Sequence, residues 1–560
     1  MADYFIWRNF VELFNSTYYF QMSYIRLHSV ERDSSGKIVK GSAAIYQSVY
    51  KKTGKKNHCI PKQIERLGKV LWLSDDGKSG IFLSKTRGLV EYDSKANLFQ
   101  EVTNGDPRIA GHGLFVEPCV HTVFGDSYLL LRFMQGILMP SILSRTFESE
   151  TDFQRFLCHS LHSILKEGAR ITCDLFVQKS VISHLADRVP LDSLRTDTAF
   201  FTMMGDDKVK LRFFKAYIEA MRKRYPDFGR GCYVDSTPLP NEAKDNPFNA
   251  LCSHGVGHVA IQTRLVLVLD EATGLPVWYT LIPGNVLDVN TIRQVREDVE
   301  DSLGITIDSV VLDAGYVTRE LVQSCCIGAP RQMTARMPAK KGYPYRQLYS
   351  DVRKMLGNGK YSFLRNSHWY FGYKKKITLF EKQIWAYVYV DKFNATINSA
   401  KWVMEHEEEY AKMTMAEKSW TEVNFGYFVL LSNKDMTPAE LLDDYFGRTE
   451  IESVIKTGKE YVNLLPLCKW NATTISGKIL LDIIDLIVYL QLREKMAGEN
   501  RAVTEMFGNA QSLMCHCDAN GTIKIETPNK KVKEFAKGLG TRIPAFIKLS
   551  ELKKMAMGEM

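Results

Sequence analysis

Apolar runs separated by turn residues predict three strands, one helix and a fourth strand near the middle of the chain. Two of the strands flank a short turn at 270–274 and form a predicted hairpin. The helix carries apolar residues at helical spacing and leads directly into the fourth strand. The predicted elements are Gly231–Asp235, Val259–Leu269, Leu275–Ile282, Asn290–Leu303 and Ser309–Asp313.

Two of these strands are predicted to end in an aspartate. Asp235 precedes the turn-forming Ser236-Thr237-Pro238, and Asp313 follows the run Ser309–Leu312. A strand–helix–strand crossover is expected to be right-handed, and it would bring the two strand ends side by side if those strands pair. This order of elements predicts an α/β fold of the ribonuclease-H-like class.

A third acid lies in a pattern with fixed gaps, Tyr445-x2-Arg448-x3-Glu452-x6-Lys459, which we call the signature. If one helix spans the pattern, its four residues share a face. Arg448 and Glu452 taken alone would be typical of a solvated charged face. The two aspartates upstream favour a functional face instead.

The helix that leads into the signature has a well-marked start. Thr437, Pro438 and Glu440 stand at the positions of an N-cap, a first-turn proline and a capping-box glutamate. Gly447 lies within the signature and weakens the predicted helix at that point. Further on, Ile475–Leu490 is apolar almost all round, which predicts a buried helix.

Asp235, Asp313 and Glu452 together predict a metal site. A carboxylate at the end of a buried strand is costly to desolvate unless a cation meets it. Three carboxylates in compatible positions therefore indicate a shared metal, and oxygen ligands favour magnesium.

The 138 residues between Asp313 and Glu452 predict an insertion, because a connection from a strand to a helix is far shorter. This segment is rich in predicted strands and has a helical stretch near Ala400–Met413. The predicted strands are Lys360–Leu364, Trp369–Lys376, Gln383–Val390 and Asn424–Leu431. Aromatic residues alternate there with Lys374–Lys376. Such mixtures can stack on nucleic acid, although ordinary sheet packing is the commoner explanation for any single residue.

The region from Asp235 to Lys459 resembles the DDE transposases of bacterial and archaeal insertion sequences, in the superfamily named after insertion sequence four. The resemblance is carried by Asp235-Ser-Thr, Pro283-Gly-Asn-x2-Asp288, Asp313-x-Gly-Tyr316 and the signature. The chain departs from the family pattern at Ser253–His258, where many relatives are more basic, and at Gly447.

The resemblance implies a reaction and a role for each residue of the site. Asp235 would bridge two magnesium ions, with Asp313 and Glu452 each completing one, and manganese would be expected to substitute. Two such ions stabilise the attacking and leaving oxygens of an in-line displacement. Water would free a 3′-hydroxyl at the element end, and that hydroxyl would attack target DNA. Arg448, Lys459 and Tyr445 would bind phosphates near the scissile bond.

The resemblance also implies partners. We expect double-stranded DNA, as transposon terminal inverted repeats and as target, bound by a homodimer or a larger assembly. Candidate DNA-end contacts are two basic segments, although runs of this kind are individually more often solvated surface. Their lysines are Lys51, Lys52, Lys55 and Lys56 near the N-terminus and Lys530, Lys531, Lys533, Lys537, Lys553 and Lys554 in the tail.

Composition agrees with this picture without deciding it. The net charge of +9 favours a polyanionic partner, but it is a mild excess over 560 residues. No run of 18 apolar residues or signal-peptide pattern occurs, so we expect a cytoplasmic, nucleoid-associated protein. Eleven scattered cysteines indicate reduced thiols. Cys515-His516-Cys517 could be half of a zinc site, but chance proximity is the simpler interpretation because no second half is evident.

The expected organisation follows from these patterns. An N-terminal β-rich region would precede a helical segment, the two parts of the core would flank the insertion, and a basic region would close the chain. The expected spans are 1–145, 146–228, 229–330, 331–435, 436–500 and 501–560.

Two alternatives to an active transposase remain open. A domesticated relative would bind DNA without cutting it, and the three intact acids argue against that. Another ribonuclease-H-like nuclease would lack both the long insertion and the signature.

Overall fold

A computed structural model describes most of the chain, which divides into two compact units. The first unit comprises 1–136, 147–200 and 499–560, and the second comprises 137–146 and 201–498. The described residues are 23–32, 38–53, 56–103, 106–109, 121–166, 168–252, 259–286, 291–326, 332–518 and 520–558. Asp288, Lys55 and the segment 253–258, which stand out in the sequence, lie outside them.

The first unit contains an antiparallel six-stranded sheet in which each strand pairs with the next along the chain. Its interior is built from alternating apolar residues, including Leu67, Val70, Phe82 and Tyr92, which are almost fully buried. The β-rich pattern expected for this part of the chain is confirmed between Ser23 and Glu101. The strands are β1 (Ser23–Arg32), β2 (Ile38–Thr53), β3 (Lys56–Leu73), β4 (Ser79–Ser84), β5 (Gly88–Asp93) and β6 (Leu98–Glu101).

Helices follow in the same unit. They are α1 (Gly125–Gly136), α3 (Glu150–Leu165) and α4 (Cys173–Lys179), with α16 (Val503–Ala510), α17 (Lys530–Gly538) and α18 (Leu549–Met557) from the C-terminal part. The helix α3 begins where the Ser149 side chain accepts a hydrogen bond from the Asp152 amide, as an N-cap does. A small sheet joins strands that are distant in sequence, in the order β20-β19-β18-β7. Its strands are β7 (Thr122–Val123), β18 (Met514–Cys517), β19 (Thr522–Ile525) and β20 (Phe546–Lys548).

The second unit is organised around one mixed sheet with the strand order β11-β10-β8-β12-β13-β17-β16-β15-β14, and β9 pairs with β10. The first strands of the sheet are β8 (Gly231–Pro240), β9 (Ala250–Cys252), β10 (Ala260–Asp270), β11 (Pro276–Pro283), β12 (Ser309–Leu312) and β13 (Gln332–Arg336). The remainder are β14 (Ser362–Arg365), β15 (His368–Leu379), β16 (Lys382–Asp391) and β17 (Tyr427–Ser432). Sheet and helices together make the fold mixed α/β, as predicted.

The elements predicted around the first two acids are confirmed. Strands β10 and β11 form the expected antiparallel hairpin, and β12 runs parallel to β8. The connecting helix is α7 (Thr291–Leu303), whose residues Ile292, Val295 and Val299 are buried. In β10, residues 265–269 are all buried, so the side chains on both faces of this strand are covered, as in a sheet with layers packed on each side.

The predicted end of the first strand is wrong. We expected a turn after Asp235, but β8 continues to Pro240 and places Asp235 within the strand. The pairing of β12 with β8 reaches only Tyr233, whereas β10 pairs with β8 as far as Pro240. Proline is tolerated where a strand has a partner on one side only, since its missing N–H then breaks no ladder bond. This explains Pro238 in the strand.

The segment between the second and third acids contributes strands β14 to β17 to the same sheet. All four predicted strands are found here, with shifted ends. The helical stretch expected near Ala400–Met413 is also present, as two helices, and a third helix follows it. They are α10 (Lys392–Glu405), α11 (Glu407–Lys412) and α12 (Met415–Asn424).

The other helices of the second unit are α2 (Met139–Ser144), α5 (Thr198–Met204), α6 (Asp207–Arg224), α8 (Arg319–Cys326), α9 (Tyr345–Val352), α13 (Pro438–Gly447), α14 (Thr449–Tyr461) and α15 (Ala472–Gly498). The predicted buried helix is confirmed in α15, where 478–490 are all buried. Among the helices of the described residues, none is long and apolar enough to cross a membrane.

Candidate active site

The two aspartates are placed by adjacent parallel strands. Asp235 lies within β8, and Asp313 directly follows β12. The register pairs Val311 of β12 with Tyr233 of β8, and two more residues along both strands lead to Asp313 and Asp235. Neighbouring paired strands lie about 4.8 Å apart, so this register carries both acids to the same end of the β8–β12 pair, two residues beyond its last pairing.

Tyr445 reaches the second of these acids from α13. The start of α13 is the predicted capping box, in which Thr437 and Glu440 each bind the other's backbone amide. Two turns later the buried Tyr445 hydroxyl donates a long hydrogen bond of 3.4 Å to Asp313 Oδ1. The helix start thus positions a residue of the signature against a residue of the sheet.

The signature spans two helices, because the helix is interrupted where the sequence shows Gly447. Helix α13 ends at Gly447 and α14 begins at Thr449, with Arg448 between them in a helical conformation. The absence of a side chain at 447 is required by packing, since a Cβ there would overlap the hydroxyl of Tyr233 on β8.

Arg448 bridges the first and third acids. Its Nη1 donates to Asp235 Oδ2 at 3.1 Å, and its Nη2 donates to Glu452 Oε1 at 3.0 Å. The Arg448 side chain is 11% exposed, whereas the Glu452 side chain is 58% exposed. One guanidinium therefore joins a sheet carboxylate to a carboxylate near the surface.

The charges around Arg448 keep it a cation. Burial lowers the pKa of Arg448. Tyr445 and the carboxylates of Asp313, Asp235 and Glu452 raise this pKa by a larger amount, so the net shift is upward. Burial likewise raises the pKa of the Tyr445 phenol, which therefore stays protonated as a hydrogen-bond donor. All three acids contribute to the field at Arg448, and the five residues form one electrostatic cluster.

Lys459 binds the strand beside the first acid. Its Nζ donates to Thr237 Oγ1 at 2.7 Å, and burial lowers its pKa. Lys459 also lines an open cavity of about 340 Å³, to which Asp235 and Glu452 contribute. The other lining residues are Ser236, Thr237, Ile455, Lys456 and Glu460. Asp313 is absent from this lining, so the cavity is lined by two of the three predicted metal ligands.

Sequence reasoning missed Arg264. This arginine lies in β10, is 3% exposed, and donates from Nη2 to Ser236 Oγ at 2.6 Å, next to Asp235. A charged residue within an otherwise apolar strand was the signal that could have identified it. Its burial means that it supports the site from within the sheet.

The donor set suits a hard divalent cation. Asp235, Asp313 and Glu452 offer carboxylate oxygens, the ligands that magnesium prefers. Two of them already meet a cationic group, the guanidinium of Arg448. As the side chains are placed, no three histidine, cysteine, aspartate or glutamate residues in the described part of the chain converge closely enough to hold a metal. The residues thus fit the metal in chemistry, and Arg448 lies where two of them would bind it.

The Cys515-His516-Cys517 segment forms most of β18. Its His516 ring lies 5.8 Å from the ring of His121, and Cys515 packs on Thr122. These contacts belong to the small sheet of the first unit and make no three-ligand cluster among the described residues.

One family model matches the part of the chain that contains the predicted site residues. Residues 226–474 match the family model of the transposase DDE domain, and this stretch includes all three acids and the whole signature. The match supports a DDE transposase. No curated protein matches the chain significantly.

Among solved structures, the chain is similar to the piggyBac transposase synaptic complex with hairpin DNA, determined by cryo-EM. The identity is 10%, the TM-score is 0.37, and the alignment covers 77% of this chain and 85% of that one.

Proposed function

We propose that the protein is a DNA transposase that cleaves strands at the ends of a mobile element and transfers them into target DNA. One observation carries the proposal. Two residues of the signature reach the sheet acids, Tyr445 binding Asp313 and Arg448 binding Asp235, while Arg448 also binds Glu452. Residues more than 200 positions apart in sequence thus form one site of acids and cations.

In this proposal Asp235, Asp313 and Glu452 are the catalytic acids and would hold two magnesium ions, with manganese able to substitute. Divalent metal is general in the DDE family. When bound, the ions stabilise the negative charge that develops on the attacking and leaving oxygens of a phosphodiester. The order of strands β11, β10, β8, β12 and β13 supports a ribonuclease-H-like core for this purpose.

Arg448, Lys459 and Tyr445 are the proposed phosphate ligands. The planar guanidinium of Arg448 can bind a phosphate through two parallel hydrogen bonds and so fix its orientation. Lys459 lines the open cavity beside Asp235 and is placed to neutralise a second phosphate. The Tyr445 phenol is a donor that either a carboxylate or a phosphate oxygen can accept.

The proposed substrates are double-stranded DNAs, namely the terminal inverted repeats of the element and a target duplex. Joining two ends requires at least two active sites, so we propose a homodimer or larger assembly on DNA and a cytoplasmic, nucleoid-associated location. The relationship to bacterial or archaeal insertion sequences rests on the signature. The basic tail supplies candidate end contacts, of which Lys531 and Lys553 also form ion pairs within the chain.

Nicking of a duplex that carries the element's own terminal repeats tests the function. The repeats are identifiable as inverted sequences in the DNA flanking the gene. With magnesium, the wild-type protein should nick at the repeat end, and Asp235→Asn, Asp313→Asn and Glu452→Gln should each abolish nicking while retaining end binding. Glu460→Gln is the matched control, because Glu460 lines the same cavity without contacting the proposed catalytic set.

The outcomes separate the alternatives. Specific end binding without nicking by the wild type would indicate a DNA-binding relative that no longer cuts. Metal-dependent cleavage without preference for the repeats would indicate a nuclease of another kind. Nicking by one acid variant at the wild-type rate would remove that acid from the site.

A further inference from the structure

Arg448 holds an unusual position for a residue expected to bind substrate. Both nitrogens at the end of its guanidinium are engaged by acids of the site, at 3.1 Å from Asp235 and 3.0 Å from Glu452. These hydrogen bonds use the donors with which an arginine would bind a phosphate bidentately. In this arrangement the end of the Arg448 side chain is committed to the acids.

The other cations at the cavity are directed elsewhere. Lys459 donates to Thr237, and Lys456 lies 3.8 Å from Glu460. The ring of Tyr445 lies under the Arg448 guanidinium, 5.6 Å from ring centroid to Cζ, and Arg448 Nε is buried without a hydrogen-bond partner among the described residues. The acids and the Tyr445 ring therefore hold the guanidinium at its terminal nitrogens, and the Nε–H donor is still available.

We propose that Arg448 is a counter-ion that occupies the metal-binding carboxylates before the site is loaded, and that metal binding displaces it towards a DNA phosphate. This inference rests on the proposed function. A guanidinium and a divalent ion that share Asp235 and Glu452 weaken each other's binding, because their like charges repel at short range. A phosphate offers the released guanidinium the same two-point geometry that the carboxylates gave it.

Metal binding and DNA binding are thereby coupled. A phosphate that draws Arg448 away leaves the acids open to metal, and by linkage a metal on the acids makes Arg448 available to the phosphate. The site would favour loading with metal and DNA together over loading with metal alone.

Metal affinity in the absence of DNA tests the inference. Free Mn²⁺ is followed by electron paramagnetic resonance during titration of the full-length protein, and the Asp235→Asn variant defines binding at the site. If Arg448 competes with the metal, Arg448→Gln should bind Mn²⁺ about tenfold more tightly than the wild type, a change of about 1.4 kcal/mol. Arg448→Lys keeps the charge but loses the two-point bridge, so its affinity should lie between the two.

Lys456→Gln is the matched control for the mere loss of a positive charge at the cavity, and its Mn²⁺ affinity should stay near that of the wild type. Thermal unfolding of each variant, with and without Mn²⁺, confirms that the protein is folded and gives a second measure of binding. If Arg448→Gln does not fold, Arg448→Lys by itself tests the inference, because the inference requires this variant to bind Mn²⁺ more tightly than the wild type does.

Equal or weaker Mn²⁺ binding by the folded Arg448 variants would overturn the inference and leave the proposed function intact. An equal gain in Lys456→Gln would also overturn it, because the effect would then be general electrostatics. If neither the wild type nor Arg448→Gln bound Mn²⁺ through Asp235, both the inference and the metal role in the proposed function would fail.

Discussion

Gly447 and Tyr233 are in direct contact, and the Tyr233 hydroxyl fills the space that a side chain at 447 would need. The contact joins the end of α13 to strand β8, two residues before Asp235. It therefore sets how closely the signature approaches the sheet. A glycine that is unfavourable for a helix is required there by the fit between helix and strand.

Replacing Gly447 tests this relationship. Gly447→Ala should lower the free energy of unfolding by about 1–3 kcal/mol, as overpacking does, and should reduce cleavage by moving Arg448 from the acids. Chemical denaturation and the nicking assay measure the two effects. Tyr233→Phe removes the hydroxyl and should recover part of the stability in the double variant.

Gly458 provides a matched glycine in α14. A Cβ at 458 would make ordinary contacts, the nearest 3.5 Å from Leu464. Gly458→Ala should therefore be neutral or stabilising by up to about 1 kcal/mol, through helix propensity. Comparable destabilisation by both substitutions would show that the Tyr233 contact is unimportant.

Lys459 is expected to contribute one phosphate contact. Lys459→Ala should weaken end binding and lower the slope of log affinity against log salt concentration by about 0.9. Binding isotherms at several salt concentrations measure the slope. Lys456→Ala is the control, because Lys456 is 72% exposed and lies beside Glu460. The same change of slope in both variants would assign Lys459 to the general surface charge.

Glu271 gives the second unit a predictable pH dependence. Burial, and then the negative charge of Asp444, raise its pKa to about 7, while a hydrogen bond from Ser309 acts in the opposite direction. The folded state thus holds the Glu271 proton more tightly than the unfolded chain. The stabilisation of the folded state that this proton supplies is complete below about pH 4.5 and is lost as the pH rises through about 7, a loss of roughly 3 kcal/mol.

The variant Glu271→Gln should remove that dependence. Relative to the wild type, it should be more stable at about pH 8 and nearly unchanged at about pH 4.5, measured by denaturant unfolding at both values. Glu409→Gln, at an exposed position of α11, should leave the difference between the two pH values unchanged. If Glu271→Gln gains no more free energy of unfolding at the higher pH than at the lower pH, the raised pKa of Glu271 is contradicted.

The sequence predicts the elements near the site well because local signals determine them. The strand β12 is a short apolar run that is buried on folding, and the start of α13 is fixed by Thr437 and Glu440 within a single turn. Both patterns depend on neighbours along the chain. The strands and helices that carry the site therefore follow from the sequence, whereas the adjacency of the two aspartate strands was expected only on the condition that they pair.

Features that depend on distant residues could not be predicted. The extension of β8 past Asp235 follows from the limited pairing of β12, and the bridge from Arg448 to two acids needs both helices and the sheet in place. Arg264 stands out locally as a charged residue in an apolar strand, but its hydrogen bond to Ser236, 28 residues away, could not be predicted. The metal roles of Asp235, Asp313 and Glu452 stay predictions. So do the DNA contacts of Tyr445, Arg448 and Lys459.

The capping box at Thr437 also fixes the angular position of everything that follows in α13. An α-helix turns by about 100° per residue, so one residue inserted between Glu440 and Tyr445 would rotate the Tyr445 side chain by more than a quarter of a circle away from Asp313. Exchanging side chains on the outer face leaves that angle unaltered. The length of this short helix is consequently under tighter constraint than the identity of most of its residues.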